Sequence, residues 1–396
     1  MDLLGWVIFL VALLFSVMLH ETGHFVMAKK FGMQATRYFV GFGPTIWSTR
    51  RGETEYGIKA LPLGGFVKIT GMTSVDEVDP VDEPRSFRQA PGWQRLIVLV
   101  AGSFMHFVLA AVLIFGLVVA LGIENDNTTQ LGTVSPCVPA SVKAYNHGTC
   151  TKSDAKSPAA LAGLRVGDKI VAFNGKRASS WSQLEPEIRN VPPGSSVTVT
   201  VQRDGHQVEL HATLASVPGR TGSYLGVAAT TVFQRASPVH GITFVGSAFW
   251  QVLDGSGHAL AQLPKAVPNL FKKDRGSTAG GNVSSVVGAA RATGQAVAAN
   301  APWQAKVSYV LLLIASLNIF VGVLNLLPLL PMDGGHVAVV LFEMIRGWFA
   351  RLRGRANPGL VDYRKLVPVS FSVFMVLVFF GMMLILADIV NPVSIG

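Results

Sequence analysis

Charge is scarce in this chain of 396 residues. Only 14% of the residues are charged, whereas 50% are hydrophobic, and the mean hydropathy is +0.43. Residues 3–19 contain no charged side chain at all. This composition disfavours an ordinary soluble enzyme and predicts a polytopic α-helical membrane protein.

Acidic residues are fewer than basic ones, 23 against 33, so the formal net charge is +10. No motif that reads nucleic acid accompanies the arginines, and many of them lie beside apolar runs. We interpret the charge as a signal of membrane topology and of contact with the lipid surface. A nucleic-acid partner is not expected.

Four apolar runs are each close to the roughly 20 residues that a bilayer requires. Lys29 and Lys30 follow the first run and no basic residue precedes it, which is the reverse of a signal peptide. The positive-inside rule then predicts a multi-pass protein of the plasma membrane with its N-terminus outside. The predicted segments are transmembrane helix 1 (1–28), a cytoplasmic or membrane-embedded β-hairpin region (29–95), helix 2 (96–121), an extracytoplasmic segment (122–304), helix 3 (305–335), a basic cytoplasmic loop (336–365) and helix 4 (366–390).

Cysteine is nearly absent. Cys137 and Cys150 both fall in the predicted extracytoplasmic segment, and the predicted cytoplasmic segments contain none. Two cysteines in an oxidising compartment are expected to form a disulfide, with two free thiols as the alternative.

The first apolar run contains the pattern His-Glu-x-x-His at residues 20–24. Two imidazoles one helical turn apart can bind one zinc ion, while Glu21 reaches a water molecule at the open coordination position. Ionisable side chains at membrane depth cost about 2.5–3.5 kcal/mol each, so His20, Glu21 and His24 are candidates for function.

A third metal ligand is predicted at Asp333. Pro328 and Pro331 break the third apolar run just before it, and irregular backbone at membrane depth must line a cavity or lie within protein. His20 lies nine residues before Lys29, roughly 13 Å inside the cytoplasmic boundary. Asp333 lies at a similar depth, so the two spans are expected to form one site near the cytoplasmic side.

These motifs resemble those of the bacterial site-2 proteases, which are intramembrane zinc metalloproteases with a PDZ domain. The resemblance rests on residues 20–24, on Asn325 to Pro328 and Pro331 to Gly335, and on residues 41–44 and 56–66. It covers nearly the whole chain and is strongest to actinobacterial members that resemble the regulator of sigma-E protease.

The resemblance implies one Zn²⁺ per chain, bound by His20, His24 and Asp333, with Glu21 as the catalytic acid and base. It also implies that Asn325 holds the substrate carbonyl or oxyanion, although a packing hydrogen bond between helices is the alternative. At His106 the chain departs from the family, which tends to have an asparagine there. A buried, hydrogen-bonded packing residue is the favoured interpretation of His106, and contact with the active site is the other.

The segment after the first helix has the pattern of two short strands, residues 55–61 and 66–70, around a turn at residues 62–65. An unwound substrate could add to an exposed strand edge there, or the hairpin could be purely structural. The candidate substrate-binding residues are Gly57, Gly64, Gly65 and Phe66.

Residues 157–175 resemble part of a bacterial PDZ domain, predicted at about 128–217, and amphipathic helices are predicted at about 240–300. The PDZ domain could exclude substrates with intact ectodomains, which we favour, or recruit an extended peptide. No carboxylate-binding loop is recognisable in residues 127–156.

The sequence therefore predicts a zinc-dependent intramembrane endopeptidase. The resemblance implies that its substrate is a single-span membrane protein, such as an anti-sigma factor, already trimmed by a site-1 protease. A catalytically silent PDZ-bearing receptor with a structural metal site is the alternative, although structural zinc would not need Glu21. A metal transporter is a third possibility, but the chain lacks acidic residues lining a path.

The predicted topology has a direct test. A cysteine introduced at Arg353 should react with a membrane-impermeant maleimide only after the cytoplasmic side is opened, whereas the native cysteines should react only after reduction. Labelling at position 353 in intact cells would invert the orientation and remove the depth argument for the site.

Overall fold

The computed structural model describes residues 2–72, 76–151, 153–271, 284–356 and 358–391. The chain divides into two compact units. Unit 1 comprises Met1–Ala120 and Ala236–Gly396, and unit 2 comprises Leu121–Arg235.

Within the described ranges, four helices are long and apolar enough to cross a bilayer. They are α1 (Asp2–Lys30), α2 (Gly92–Gly116, continued by a π-helical turn at Leu117–Leu121), α8 (Trp303–Leu326) and α10 (Val367–Val390). Unit 1 also contains α6 (Pro238–Ala266), α7 (Val286–Ala298), α9 (Asp333–Leu352) and single 3₁₀ turns at Glu83–Arg85, Phe87–Gln89, Val267–Asn269 and Tyr363–Lys365.

Small residues allow the helices of unit 1 to approach closely. A Cβ atom at Gly23 of α1 would lie 2.4 Å from the Ala101 carbonyl oxygen of α2. A Cβ atom at Gly5 would lie 2.4 Å from the Gly294 Cα atom of α7. Because lipid removes the hydrophobic drive between helices, such backbone contacts are a main source of packing energy in a membrane.

The predicted third span, residues 305–335, is not one helix. It ends at Leu326, residues 327–332 are not helical, and Asp333 begins α9. Because α9 runs to Leu352, much of the predicted basic loop is helical as well. One face of α9, which includes Val340, Gly347 and Ala350, is buried. Burial of this face stabilises the helix in a segment whose basic residues had predicted a loop.

The strands predicted at residues 55–61 and 66–70 do not pair with each other, so the predicted hairpin around residues 62–65 is wrong. The hairpin consists of β1 (Ala35–Arg51) and β2 (Thr54–Ile69), which lie on either side of a turn at Gly52 and Glu53. Residues 37–40 pair with residues 65–68 on one side and with residues 55–58 on the other. The two predicted strands therefore lie on opposite edges of β1, because β1 bends at Gly41 and Gly43, where φ is positive.

The strands and helices of unit 2 are β3 (Ile123–Asn125), β4 (Leu131–Val134), α3 (Val142–His147), α4 (Pro158–Ala162), β5 (Lys169–Phe173), β6 (Lys176–Arg177), α5 (Trp181–Asn190), β7 (Ser196–Arg203), β8 (His206–Thr213), β9 (Ala215–Ser216), β10 (Ser223–Tyr224), β11 (Val227–Ala229) and β12 (Val232–Gln234). The main antiparallel sheet has the order β6-β5-β7-β8. The apolar core between this sheet and helices α4 and α5 includes Ile170, Phe173, Leu184 and Val199.

An ion pair and a disulfide stabilise unit 2 outside its apolar core. The Arg203 guanidinium donates two hydrogen bonds of 2.7 Å to the Asp168 carboxylate, and this pairing lowers the pKa of Asp168. Cys137 and Cys150 form a disulfide. The compact unit starts before and ends after the predicted PDZ segment of about 128–217, because β3 pairs with β12.

The predicted amphipathic segment, about 240–300, contains α6 and α7, and residues 272–283 of it lie outside the described residues. Helix α7 is capped by the buried Asp388 of α10, whose carboxylate accepts a 2.6 Å hydrogen bond from the Ser285 backbone N–H. This contact ties α7 to the last membrane helix.

Candidate metal centre

Three of the sequence-predicted residues meet between α1 and the start of α9. The Nε2 atoms of His20 and His24 lie 3.0 Å apart, and they lie 3.2 and 3.3 Å from Asp333 Oδ2. Both histidines are buried. Four-residue helical spacing puts the imidazoles on one face of α1, and the chain reversal before α9 brings the carboxylate to them.

The arrangement fits zinc. Ligand atoms about 2.0–2.1 Å from a tetrahedral zinc ion lie roughly 3.3 Å from one another, close to the three separations in the cluster. The cluster combines two imidazole nitrogens with a carboxylate oxygen, a donor set that zinc enzymes use with a fourth position open. Asp333 Oδ2 is buried and has no hydrogen-bond partner within the described ranges, as expected of an atom directed at a metal.

The two histidines are supported differently. His24 donates from Nδ1 to the Val98 carbonyl oxygen of α2 at 2.7 Å, which leaves Nε2 free as a ligand. His20 Nδ1 is buried without a hydrogen-bond partner among the described residues. Its ring packs instead against His106, with 5.0 Å between the ring centroids.

His106 is held by two neighbouring helices. Its Nδ1 atom lies 2.8 Å from Asn318 Oδ1 of α8 and 3.1 Å from Ser16 Oγ of α1, and Ser16 also donates to Asn318 Oδ1. His106 is therefore both a buried packing residue and a neighbour of the metal cluster, so the two interpretations are compatible. Asn318 has a packing role, donating to the Ile314 carbonyl oxygen at 2.8 Å.

Glu21 lies beside the cluster and is oriented by the hairpin. Its Oε2 atom accepts a 2.9 Å hydrogen bond from the Val67 backbone N–H of β2. Residues 65–69 form one edge of the hairpin sheet, so a strand edge and the candidate base are physically connected. The sequence contains no signal for this contact, because Val67 acts through its backbone.

The candidate substrate-binding residues are all in β2. Gly57 pairs with Phe39 and Ser48, and Gly65 pairs with Val40. A Cβ atom at Gly65 would lie 2.2 Å from Met18 Sδ, so this glycine lets β2 pack against α1.

Gly64 and Phe66 complete the candidate set. Gly64 has a φ of +147°, where an L side chain would be strained. Phe66 stacks on Phe39 and Phe42, with centroid distances of 5.7 and 6.1 Å. Packing of the hairpin therefore explains some of the residue types at the four candidate substrate-binding positions.

Asn325 occupies the last turn of α8, seven residues after Asn318. Two helical turns separate the two asparagines, so they lie on the same side of α8 as the cluster's supporting network. Asn325 is partly buried.

The chain reversal at residues 327–332 leaves no room for a side chain at the two residues that follow Asp333. A Cβ atom at Gly334 would lie 2.2 Å from the Leu327 carbonyl oxygen, and one at Gly335 would lie 2.6 Å from the Leu330 nitrogen. The next residue, His336, stacks on Tyr363 and lies within 3.4 Å of its hydroxyl. Burial raises the pKa of Tyr363 to about 12, so this hydroxyl keeps its proton at neutral pH.

Comparison with known proteins identifies the family. The chain belongs to peptidase family M50, which matches residues 8–358. It is similar to the zinc metalloprotease Rip1 of Mycolicibacterium smegmatis, with 38% identity over 412 residues that cover 99% of this chain and 98% of that protein. Rip1 of Mycobacterium tuberculosis is 37% identical over 407 residues, covering 99% and 98%.

The chain was also compared with solved structures. It is the PDZ domain of the SdrC-like protein from Listeria monocytogenes, with 18% identity, covering 25% of this chain and 90% of that one. Its TM-score of 0.18 is too low to carry an argument about the fold.

The protein is therefore a membrane-embedded zinc metalloendopeptidase. Family membership confirms the predictions of an enzyme, of zinc and of a multi-pass membrane protein. The alternative of a catalytically silent receptor is set aside.

Helix α2 packs closely against the two histidines at Gly102. A Cβ atom at Gly102 would lie 2.3 Å from His24 Nε2, so Gly102→Ala should displace the imidazoles and lower zinc affinity roughly 10–100-fold. Metal content of the purified protein, measured by mass spectrometry during titration with a chelator, gives the affinity.

Gly116→Ala is the matched control on the same helix. A Cβ atom there meets nothing within 4 Å among the described residues, so zinc affinity should not change. Equal affinities for the two variants would show that α2 does not abut the metal ligands.

Proposed function

We propose that this enzyme hydrolyses a peptide bond within the transmembrane segment of a single-span membrane protein. The observation that carries the proposal is the convergence of His20, His24 and Asp333 inside a bundle of membrane helices, with Glu21 next to them. A cluster placed there is suited to a substrate bond that itself lies at membrane depth.

We infer that His20, His24 and Asp333 bind zinc and that Glu21 is the general acid and base. Zinc, when bound, supplies a Lewis acid and lowers the pKa of water toward 7. Glu21 takes a proton from the attacking water and returns it to the leaving amine nitrogen. The Val67 N–H holds one carboxylate oxygen of Glu21, and the other oxygen is left to carry the proton.

Asn325 is proposed to donate from its side-chain amide to the developing oxyanion. Its place in the last turn of α8, just before the irregular residues 327–332, supports this role. A single such donor is commonly worth about 10²–10³ in turnover.

The hairpin edge at residues 65–69 is proposed to bind the unwound substrate. A peptide bond in a helix is protected by its internal hydrogen bonds, so the substrate must become extended before hydrolysis. Addition of an extended chain to a sheet edge supplies replacement hydrogen bonds. The link from Val67 to Glu21 supports this edge over the opposite edge of the sheet.

We propose an anti-sigma factor, already trimmed by a site-1 protease, as the physiological substrate. The support is the resemblance noted in the sequence and the similarity to the Rip1 zinc metalloproteases. We also propose that unit 2 is extracytoplasmic, with the active site near the cytoplasmic side. The basic residues around α9 and the disulfide in unit 2 support this orientation.

The roles of the site residues are separable by two measurements. His20→Ala, His24→Ala and Asp333→Ala should each lose most of the bound zinc and all detectable cleavage. Glu21→Gln should retain zinc but lower cleavage by roughly 10²–10⁴-fold, because only proton transfer is removed. Zinc is measured in purified protein, and cleavage by accumulation of an uncleaved single-span fragment in membranes.

Asn325→Ala serves as the comparison within the same site, with zinc retained and slower turnover. Stoichiometric zinc and full activity in Asp333→Ala would contradict the three-ligand assignment. Loss of zinc in Glu21→Gln would move this residue from proton transfer to metal binding.

Unit 2 is proposed to exclude substrates with bulky ectodomains. Excision of residues 126–231, with β3 joined to β12 through an Asn-Gly turn, keeps the β3–β12 pair and removes the rest of the unit. We expect this variant to cleave a full-length, untrimmed substrate that the intact enzyme spares. Immunoblotting of substrate fragments in cells lacking the site-1 protease measures the effect.

Slower cleavage of the trimmed substrate, without any cleavage of the untrimmed form, would instead favour recruitment. Arg177→Gln, an exposed change on β6, should leave both substrates unaffected.

A further inference from the structure

Unit 1 contains an apolar cavity of about 360 Å³ between α9 and the start of α10, named here the α9–α10 cavity. Its walls come from the chain reversal before Asp333, from α9 and from residues 361–373. Every residue that lines it is apolar, and the volume lies within the range of cavities that hold a small ligand. The lining residues include Leu329, Leu330, Ala338, Phe342, Leu366 and Val373.

The cavity follows one face of α9 for about two turns. Gly335, Ala338 and Phe342 line it and are spaced by three and four residues, so they lie on the same face of the helix over roughly 10 Å. Another wall belongs to α10, which is long and apolar enough to cross a bilayer. The cavity is therefore an elongated apolar space beside a membrane helix.

Arg346 lies at the end of the cavity that is farther from Asp333. It follows Phe342 by one helical turn on the same face of α9, and its guanidinium carbon lies 5.5 Å from the centroid of the Phe342 ring. Its Nη2 atom donates a 2.6 Å hydrogen bond to the Gly359 carbonyl oxygen, whereas its Nε atom is buried without a hydrogen-bond partner in the described part of the chain. A positive charge with incompletely satisfied donors thus borders one end of an apolar space.

The segment at this end of α9 is strongly basic. Residues 346–365 contain six basic side chains and one acidic side chain, Asp362. The Asp362 carboxylate accepts a 3.0 Å hydrogen bond from the Arg364 backbone N–H. Glu343, the neighbouring acid on α9, is buried and pairs with Arg95 of α2 at 2.8 Å. The positive charge of the segment therefore exceeds what these two acids offset, and an anionic ligand would complement it.

An anionic phospholipid combines the two properties that the cavity requires. A narrow acyl chain fills an elongated apolar space, and a headgroup phosphate accepts charge-assisted hydrogen bonds from arginine. Basic pockets beside membrane helices are a known type of site for anionic headgroups. One turn of a helix about 10 Å wide occupies roughly 400 Å³. The cavity therefore cannot enclose a membrane helix of a substrate or of a second copy.

We propose that the α9–α10 cavity binds one molecule of an anionic phospholipid, with an acyl chain along α9 and the headgroup phosphate on Arg346. The bound chain packs against Leu329 and Leu330 of the reversal that precedes Asp333. The proposal concerns lipid binding and does not depend on the proteolytic function.

Binding is tested by native mass spectrometry of the full-length protein, purified in detergent and stripped of lipid, during titration with phosphatidylglycerol. One molecule should bind per chain, about tenfold more tightly than phosphatidylcholine with the same acyl chains, because the choline ammonium group offsets the phosphate charge. An excess of inorganic phosphate should not displace the lipid, since phosphate lacks an acyl chain. Equal affinity for the two lipids, or displacement by phosphate alone, would overturn the proposal.

Arg346→Gln removes the proposed phosphate contact and should weaken phosphatidylglycerol binding about tenfold. Arg353→Gln is the matched control, because Arg353 is exposed, lies beyond the end of α9 and does not line the cavity. It removes the same charge without the contact, so screening by salt should limit its effect to less than about threefold. Equal losses in the two variants would show that a basic surface attracts the lipid without a site at Arg346, which refutes the proposal.

The apolar part of the site is tested by Ala338→Phe, which places a larger side chain in the cavity. Exclusion of two acyl methylene groups should weaken binding about tenfold. Leu341→Phe, at an exposed position of α9 outside the cavity, should preserve the affinity. If Ala338→Phe left lipid binding unchanged but blocked cleavage of a single-span substrate, the cavity would be a substrate site and the proposal would be wrong. If Ala338→Phe fails to fold, the comparison of the two arginine variants still decides.

Discussion

The structure depends on placing two imidazoles and a carboxylate together in apolar surroundings. Each would be costly there alone, by several kcal/mol, and their cost falls only when they share an ion or one another. His20, His24 and Asp333 come from the first membrane helix and from the chain reversal after the third. Helix packing and the broken span bring these three side chains into one cluster, and the hairpin holds Glu21 beside them.

Glycine makes this convergence sterically possible. Gly23 lets α1 approach α2, Gly102 leaves room for the imidazoles, and Gly334 lets the chain turn against residues 326 and 327. In a bilayer, close backbone contact replaces much of the hydrophobic drive that assembles soluble cores. The same contacts that stabilise unit 1 therefore also set the geometry of the three candidate ligands.

Support for the site comes from backbone groups and from a polar network at membrane depth. The Val98 carbonyl orients His24, the Val67 amide orients Glu21, and His106 packs on His20. Unit 2 is stabilised differently, by an apolar core between a sheet and helices, by an ion pair and by a disulfide. The candidate metal centre thus lies in unit 1, and the proposed control of access lies in unit 2.

The sequence by itself predicted the membrane class, four apolar spans and the three side chains that the structure brings together, His20, His24 and Asp333. These follow from local signals: charge-free runs, helical spacing of two histidines, and paired prolines that must break a span. Only the tertiary structure decided that residues 37–40 lie between the two predicted strands, that α9 is helical, and that Val67, Val98 and His106 support the site. Those features depend on backbone groups and on contacts between residues far apart in the chain, and neither leaves a periodic pattern in the sequence.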